Sequence, residues 1–120
     1  MVTVVLLSLL LSPSMPIEQE AVVTTYILAE RAGVSPNMAV CILLRESGGK
    51  PWAVGDEGRA VGPWQWHLPS WEHVQRERGL PLDDRRADLR ASTEAAVWAL
   101  GHGYKHWWST LPLCECEAQP

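Results

Sequence analysis

One carboxylate stands where a carboxylate is expensive. The apolar stretch Ala39-Val40-Cys41-Ile42-Leu43-Leu44 runs straight into Arg45-Glu46-Ser47-Gly48-Gly49. Charged carboxylates are rarely buried, because desolvation favours the neutral acid. Two glycines stop a core-facing helix here, so Glu46 is expected at its carbonyl end, where the helix dipole disfavours negative charge. Both effects raise a carboxyl pKa, and a carboxylic acid that keeps its proton near neutral pH can serve as a general acid. The plain alternative is a surface Glu at a frayed helix end.

Other residues could join this chemistry. Asp56 and Glu57 follow Glu46 by about ten residues and could supply a second carboxylate, although Asp-Glu-Gly is also an ordinary turn sequence. Gln65 lies between Trp64 and Trp66, where a polar group flanked by aromatic rings suits a sugar-binding wall. His102 and His106 are four apart, and Cys114-x-Cys116 follows. That set makes a zinc-binding helical domain an alternative reading, although Gly101 and Gly103 weaken the helix and one residue between cysteines is tight for structural zinc. No metal or other cofactor is therefore assigned. His67 and His73 read as groove-edge or surface residues.

The elements that must position these groups are mostly helical. Ile17 to Ala32 carries Val22, Val23, Tyr26 and Ile27 at mainly helical spacing, and Gly33 ends it. Ser35 reads as an N-cap with Pro36 at the first position of a second helix that runs to about Ser47. On it Ile42 and Glu46 share a face. Gly48 to Gly62 is too rich in Gly for a helix and suggests a small β-hairpin or ordered loop around Asp56-Glu57-Gly58. Pro69 opens a third helix that ends at Gly79. Asp84 or Asp88 caps a fourth through Ala91, Ala95, Trp98 and Ala99, bent by Gly101 and Gly103 before Tyr104 to Trp108. The fold class is α+β, mostly α, in one domain, since 120 residues are too few for two.

Composition narrows the partners. Hydrophobic residues make up 47% and charged residues 20%, a globular profile. The net charge of −4 gives no general pull toward nucleic acid or anionic membranes. Arg76, Arg78, Arg85, Arg86 and Arg90 are interleaved with Glu77, Asp83, Asp84 and Asp88, which reads as a solvated surface. Seven Trp and no Phe leave two readings for each indole, core packing or a ligand groove. The apolar run Met1 to Leu11 is too short to span a bilayer and matches the central region of a secretory signal, though no Lys or Arg precedes it and no small-x-small cleavage site follows, and a buried helix is the plain alternative. The expected division is a leader over residues 1–16, a catalytic domain over 17–111 and a tail over 112–120, in an exported monomer. Cys41 reads most simply as a small core residue. In an exported chain it would pair with Cys114 or Cys116.

The middle of the chain resembles a known family. Glu46-Ser47-Gly48-Gly49, then Ala53-Val54-Gly55, then Gly62-Pro63-Trp64-Gln65 is similar to the signature of soluble lytic transglycosylases and related lysozyme-like enzymes, and Arg31-Ala32-Gly33-Val34-Ser35-Pro36 looks like that family's link between its first two helices. The resemblance implies a lysozyme-like helical domain with a small hairpin lining a cleft. It implies cleavage of the β-1,4 bond between N-acetylmuramic acid and N-acetylglucosamine, with peptidoglycan strands as partner and Glu46 as acid. Ser47 would orient Glu46 or the substrate. Gly62, Trp64 and Gln65, the last on a strand, would wall the cleft, with Tyr104 a further contact. The family's Ala-Tyr-Asn-x-Gly motif is replaced here by Gly101-His102-Gly103-Tyr104-Lys105. Chicken-type lysozymes carry a second carboxylate two residues before the Gly of Gly-x-x-Gln, where this chain has Ala60; the spacing of Asp56 is that of phage-type lysozymes. Without a second carboxylate the resemblance implies an anhydro-forming transglycosylase, and with Asp56 assisting a muramidase. A glycan-binding module that does not use Glu46 is the remaining alternative.

Overall fold

The computed structural model describes residues 14–115. The leader expectation rests largely on residues 1–13 and one cysteine pairing on Cys116, all outside the described residues. Helix α1 (Ile17–Arg31) buries Ala21, Thr25 and Ala29, spaced by four so that they form one stripe. Helix α2 (Pro36–Ser47) packs against α1 and buries Ala39, Ile42 and Leu43. Small side chains on both helices let the backbones approach closely. Local chemistry sets both ends of α2: Ser35 Oγ accepts from the Met38 amide at 3.2 Å, and Gly48 takes φ 68° while its N–H reaches Leu44 O at 2.9 Å.

A minimal antiparallel hairpin follows, β1 (Val54–Gly55) and β2 (Ala60–Val61), with Val54 opposite Val61 and Gly55 opposite Ala60. A 3-10 turn over Asp56–Gly58 joins the strands. Helix α3 is Leu68–Glu77 and α4 is Leu89–Gly101. Asp88 is the cap of α4, accepting from the Ala91 amide at 2.8 Å. Seven residues of α4, from Ser92 to Leu100, are buried, so it forms the centre of the core, packed on α1 and α3. The chain does not bend onward as a helix after Gly101. It makes a 3-10 turn at Lys105–Trp107 and a single helical turn, α5 (Leu111–Cys114). No helix among the described residues is long and apolar enough to cross a membrane.

Cys41 and Cys114 form a disulfide across 73 positions of sequence, fastening α5 to α2. Closing so long a loop removes entropy from the unfolded chain. Reduction is expected to lower unfolding stability by about 2–4 kcal/mol, measured by urea denaturation with and without reductant.

One member of the mixed-charge segment is not on a solvated surface. Arg86 is 9% exposed. Its Nε and Nη2 donate to Asp84 at 2.8 and 2.9 Å, and Nη1 donates to the carbonyls of Arg59 and Trp66 at 3.1 and 3.0 Å. A planar guanidinium with several donors can bind a carboxylate and carbonyls together, and here it ties the hairpin to the segment before α4. The pairing holds the Asp84 carboxyl below its ordinary pKa.

Candidate active site

Glu46 lies in the last turn of α2, half-buried, and faces a cavity of about 400 Å³. The hairpin contributes Gly55, Asp56 and Ala60 to its wall, and the segment before α3 contributes Gln65, Trp66 and His67. Trp107 and Trp108 close the other side. The Glu46 pKa is raised, first by burial and then by the charge of Asp56, with His67 partly opposing. The carbonyl end of α2 acts in the same direction as burial. This is the electrostatic setting of a carboxyl group that holds its proton more tightly than an ordinary Glu.

Asp56 shares the cavity, while Glu57, its neighbour on the turn, is exposed and outside it. Asp56 and Glu57 both adopt left-handed backbone, φ 49° and 57°. Asp56 Oδ2 lies 2.8 Å from His67 Nε2.

Gln65 also has positive φ, 54°, and sits in a turn rather than on the expected strand. Its Nε2 donates to Ala53 O at 3.1 Å and Gly62 O at 3.0 Å. These two carbonyls occupy both amide hydrogens and fix which way the carboxamide points. Gly55 makes room for it, since a Cβ there would lie 2.5 Å from Gln65 Oε1.

Three residues expected on the cleft wall are elsewhere. Trp64 is fully buried, with Nε1 donating to Thr93 Oγ1 at 3.0 Å, so it is a core residue with its polar atom satisfied. Gly62 faces the protein: a Cβ on it would lie 1.9 Å from Arg86 O. Its bare α-carbon is needed for close packing of two backbone segments. Tyr104 is outside the cavity, stacked on Trp107 at 4.4 Å with its hydroxyl donating to Glu77 at 2.6 Å. It meets the site only through Trp107. Ser47 stands beside Glu46 in sequence, but its hydroxyl donates to Pro63 O at 2.6 Å and accepts from the Gly49 amide at 3.0 Å. It fastens the end of α2 to the loop that carries Gln65.

Sequence reasoning did not single out the three indoles that do line the cavity. Trp66 is edge-on to Trp107 at 6.1 Å and to Trp108 at 5.3 Å, and Trp107 is 41% exposed. Indole composition gave the signal without the direction. His67 was seen only as a groove-edge residue, and its pairing with Asp56 across the hairpin leaves no local pattern. The zinc reading fails on connectivity, because Cys114 sulfur is bonded to Cys41. His102 Nδ1 is 2.7 Å from Trp98 O with its ring stacked on that indole, and no metal-binding cluster of three His, Cys, Asp or Glu occurs among the described residues.

A mostly helical body with a two-stranded hairpin beside a cleft-facing Glu defines an α+β, lysozyme-like protein. The family model for the transglycosylase SLT domain matches residues 26–114, and the chain belongs to that family. No curated protein and no solved structure matches it. Membership carries a lytic transglycosylase function at the level of the family, with peptidoglycan as the substrate class.

Proposed function

We propose that this protein cleaves the β-1,4 bond between N-acetylmuramic acid and N-acetylglucosamine in peptidoglycan, with Glu46 as general acid and then general base. The observation that carries the reading is Glu46 itself, a half-buried carboxyl of raised pKa facing an aromatic-walled cavity. Protonated Glu46 gives its proton to the glycosidic oxygen as the bond to the anomeric carbon breaks. The resulting carboxylate takes the proton of the muramic acid 6-hydroxyl, whose oxygen closes on the anomeric carbon to give a 1,6-anhydro end. No water is consumed.

Gln65 suits the recognition of N-acetyl groups. With both amide hydrogens taken by backbone carbonyls, its Oε1 is left to accept from a sugar amide N–H. Trp107, half-exposed and backed by Tyr104, offers an apolar face to a sugar ring. Residues 17–111 are the catalytic domain in this reading, after a leader that directs export, and the Cys41–Cys114 disulfide suits an oxidising extracytoplasmic compartment.

Mass spectrometry of digested peptidoglycan tests the reaction. The expected products include muropeptides with 1,6-anhydro ends, and a digest containing only reducing ends rejects the anhydro step. The presence of Asp56 in the same cavity favours a second outlet, hydrolysis, which needs a second carboxylate acting on water.

A further inference from the structure

We infer that His67 is a positioning residue that holds Asp56 as a general base for water, giving the site a hydrolytic outlet beside the anhydro-forming one. The inference rests on the reading of Glu46 above. Asp56 is at the tip of the hairpin and its side chain is open to solvent, so an unrestrained carboxylate there would sample many directions. His67 restrains it, with Nε2 2.8 Å from Oδ2. A carboxylate only accepts, so the imidazole nitrogen donates and Oδ1 is left free.

An exposed His–Asp pair by itself is worth little. Two observations separate this one from surface decoration. Both residues line the cavity that holds Glu46. Asp56 and Glu57 also both hold a left-handed backbone, readily adopted by Asp but costly for Glu57, and this fixes the turn that carries Asp56.

The step balances. Glu46 protonates the leaving oxygen as its bond to the anomeric carbon breaks. The oxygen of a water bonds to that carbon and its proton passes to Asp56 Oδ1. The product is a reducing muramic acid end. Asp56 then releases its proton to solvent, and Glu46 regains one.

Digestion of peptidoglycan in ¹⁸O-water, with mass spectrometry of the products, reads the partition directly. Wild type should give labelled reducing ends alongside unlabelled anhydro ends. His67→Ala should lower the reducing-to-anhydro ratio about tenfold, and Asp56→Asn about 10²-fold or more, within the range for loss of a general base. His67→Gln, which keeps an N–H donor, should restore much of the ratio. The Ala-to-Gln contrast is one that a merely structural role would not produce, and if His67→Ala fails to fold, Asp56→Asn and His67→Gln still give opposite expectations. Wild-type products with anhydro ends alone, or a ratio unchanged in Asp56→Asn or His67→Ala, overturn the inference while leaving Glu46-dependent cleavage standing. A chain that releases no muropeptide at all removes both.

Discussion

Glu46→Gln is expected to cut peptidoglycan cleavage by about 10³-fold or more, in the range found when a general acid is removed. The side chain keeps its shape and loses its transferable proton. Binding of glycan strands should persist, because Gln65 and the Trp107 face are untouched. Lysis unchanged in this variant would end the assignment of Glu46 and favour a module that only binds glycan. The wild-type pH profile follows from the direction of the Glu46 shift. Activity needs the protonated acid, so it should fall as pH rises through a Glu46 pKa raised from its ordinary value.

The same shift acts on stability. A carboxyl whose folded pKa exceeds its unfolded value supports the fold fully below the unfolded pKa, and that support is lost as pH rises through the folded one. Gln does not titrate. Urea denaturation should therefore find Glu46→Gln gaining on wild type between acidic and neutral pH.

Gly62→Ala is expected to be the most damaging small substitution in the fold, costing at least about 3 kcal/mol from overpacking and left-handed backbone together. The new methyl would meet Arg86 O at 1.9 Å, a backbone atom held in place by the Arg86 side chain's own bonds. Gly62 also has φ 86°. Gly58→Ala is the control: its φ is also positive, 91°, but its Cβ would meet nothing within 4 Å. Comparison of the two melting temperatures isolates the clash. Equal losses would show that backbone conformation alone matters at Gly62.

Much of the site's scaffold was legible because it is written locally. Ser35, Pro36 and Gly48 mark the ends of α2 within one turn of each boundary, and that alone places Glu46 at a helix terminus. The hairpin was visible from the Gly-rich stretch and its Asp-Glu-Gly turn. What failed was direction. Trp64 and Trp66 are two positions apart and flank the same Gln, yet one is wholly core and the other lines the cavity. The positive φ at Gln65 breaks the strand alternation that would have put them on one face. Gly62 reads from sequence as a cleft-wall residue, but the backbone it packs against, at Arg86, comes from a distant part of the chain and leaves no trace near it. The Arg86 fork was hidden by the charges around it, which read as solvent-facing until the carbonyls of Arg59 and Trp66 are seen.

The cystine between α2 and α5 has a consequence for the fate of a clipped chain. Residues 79–85, the stretch before Arg86, are all exposed and lie between the two bonded cysteines. A protease that nicks the chain there produces two fragments that remain one molecule. The fragment bearing Glu46 stays tethered to the one bearing Trp107, so the cut halves cannot diffuse apart. The tether raises their effective concentration, which favours re-forming of the cleft after local opening. An enzyme built this way can be clipped and still be held together.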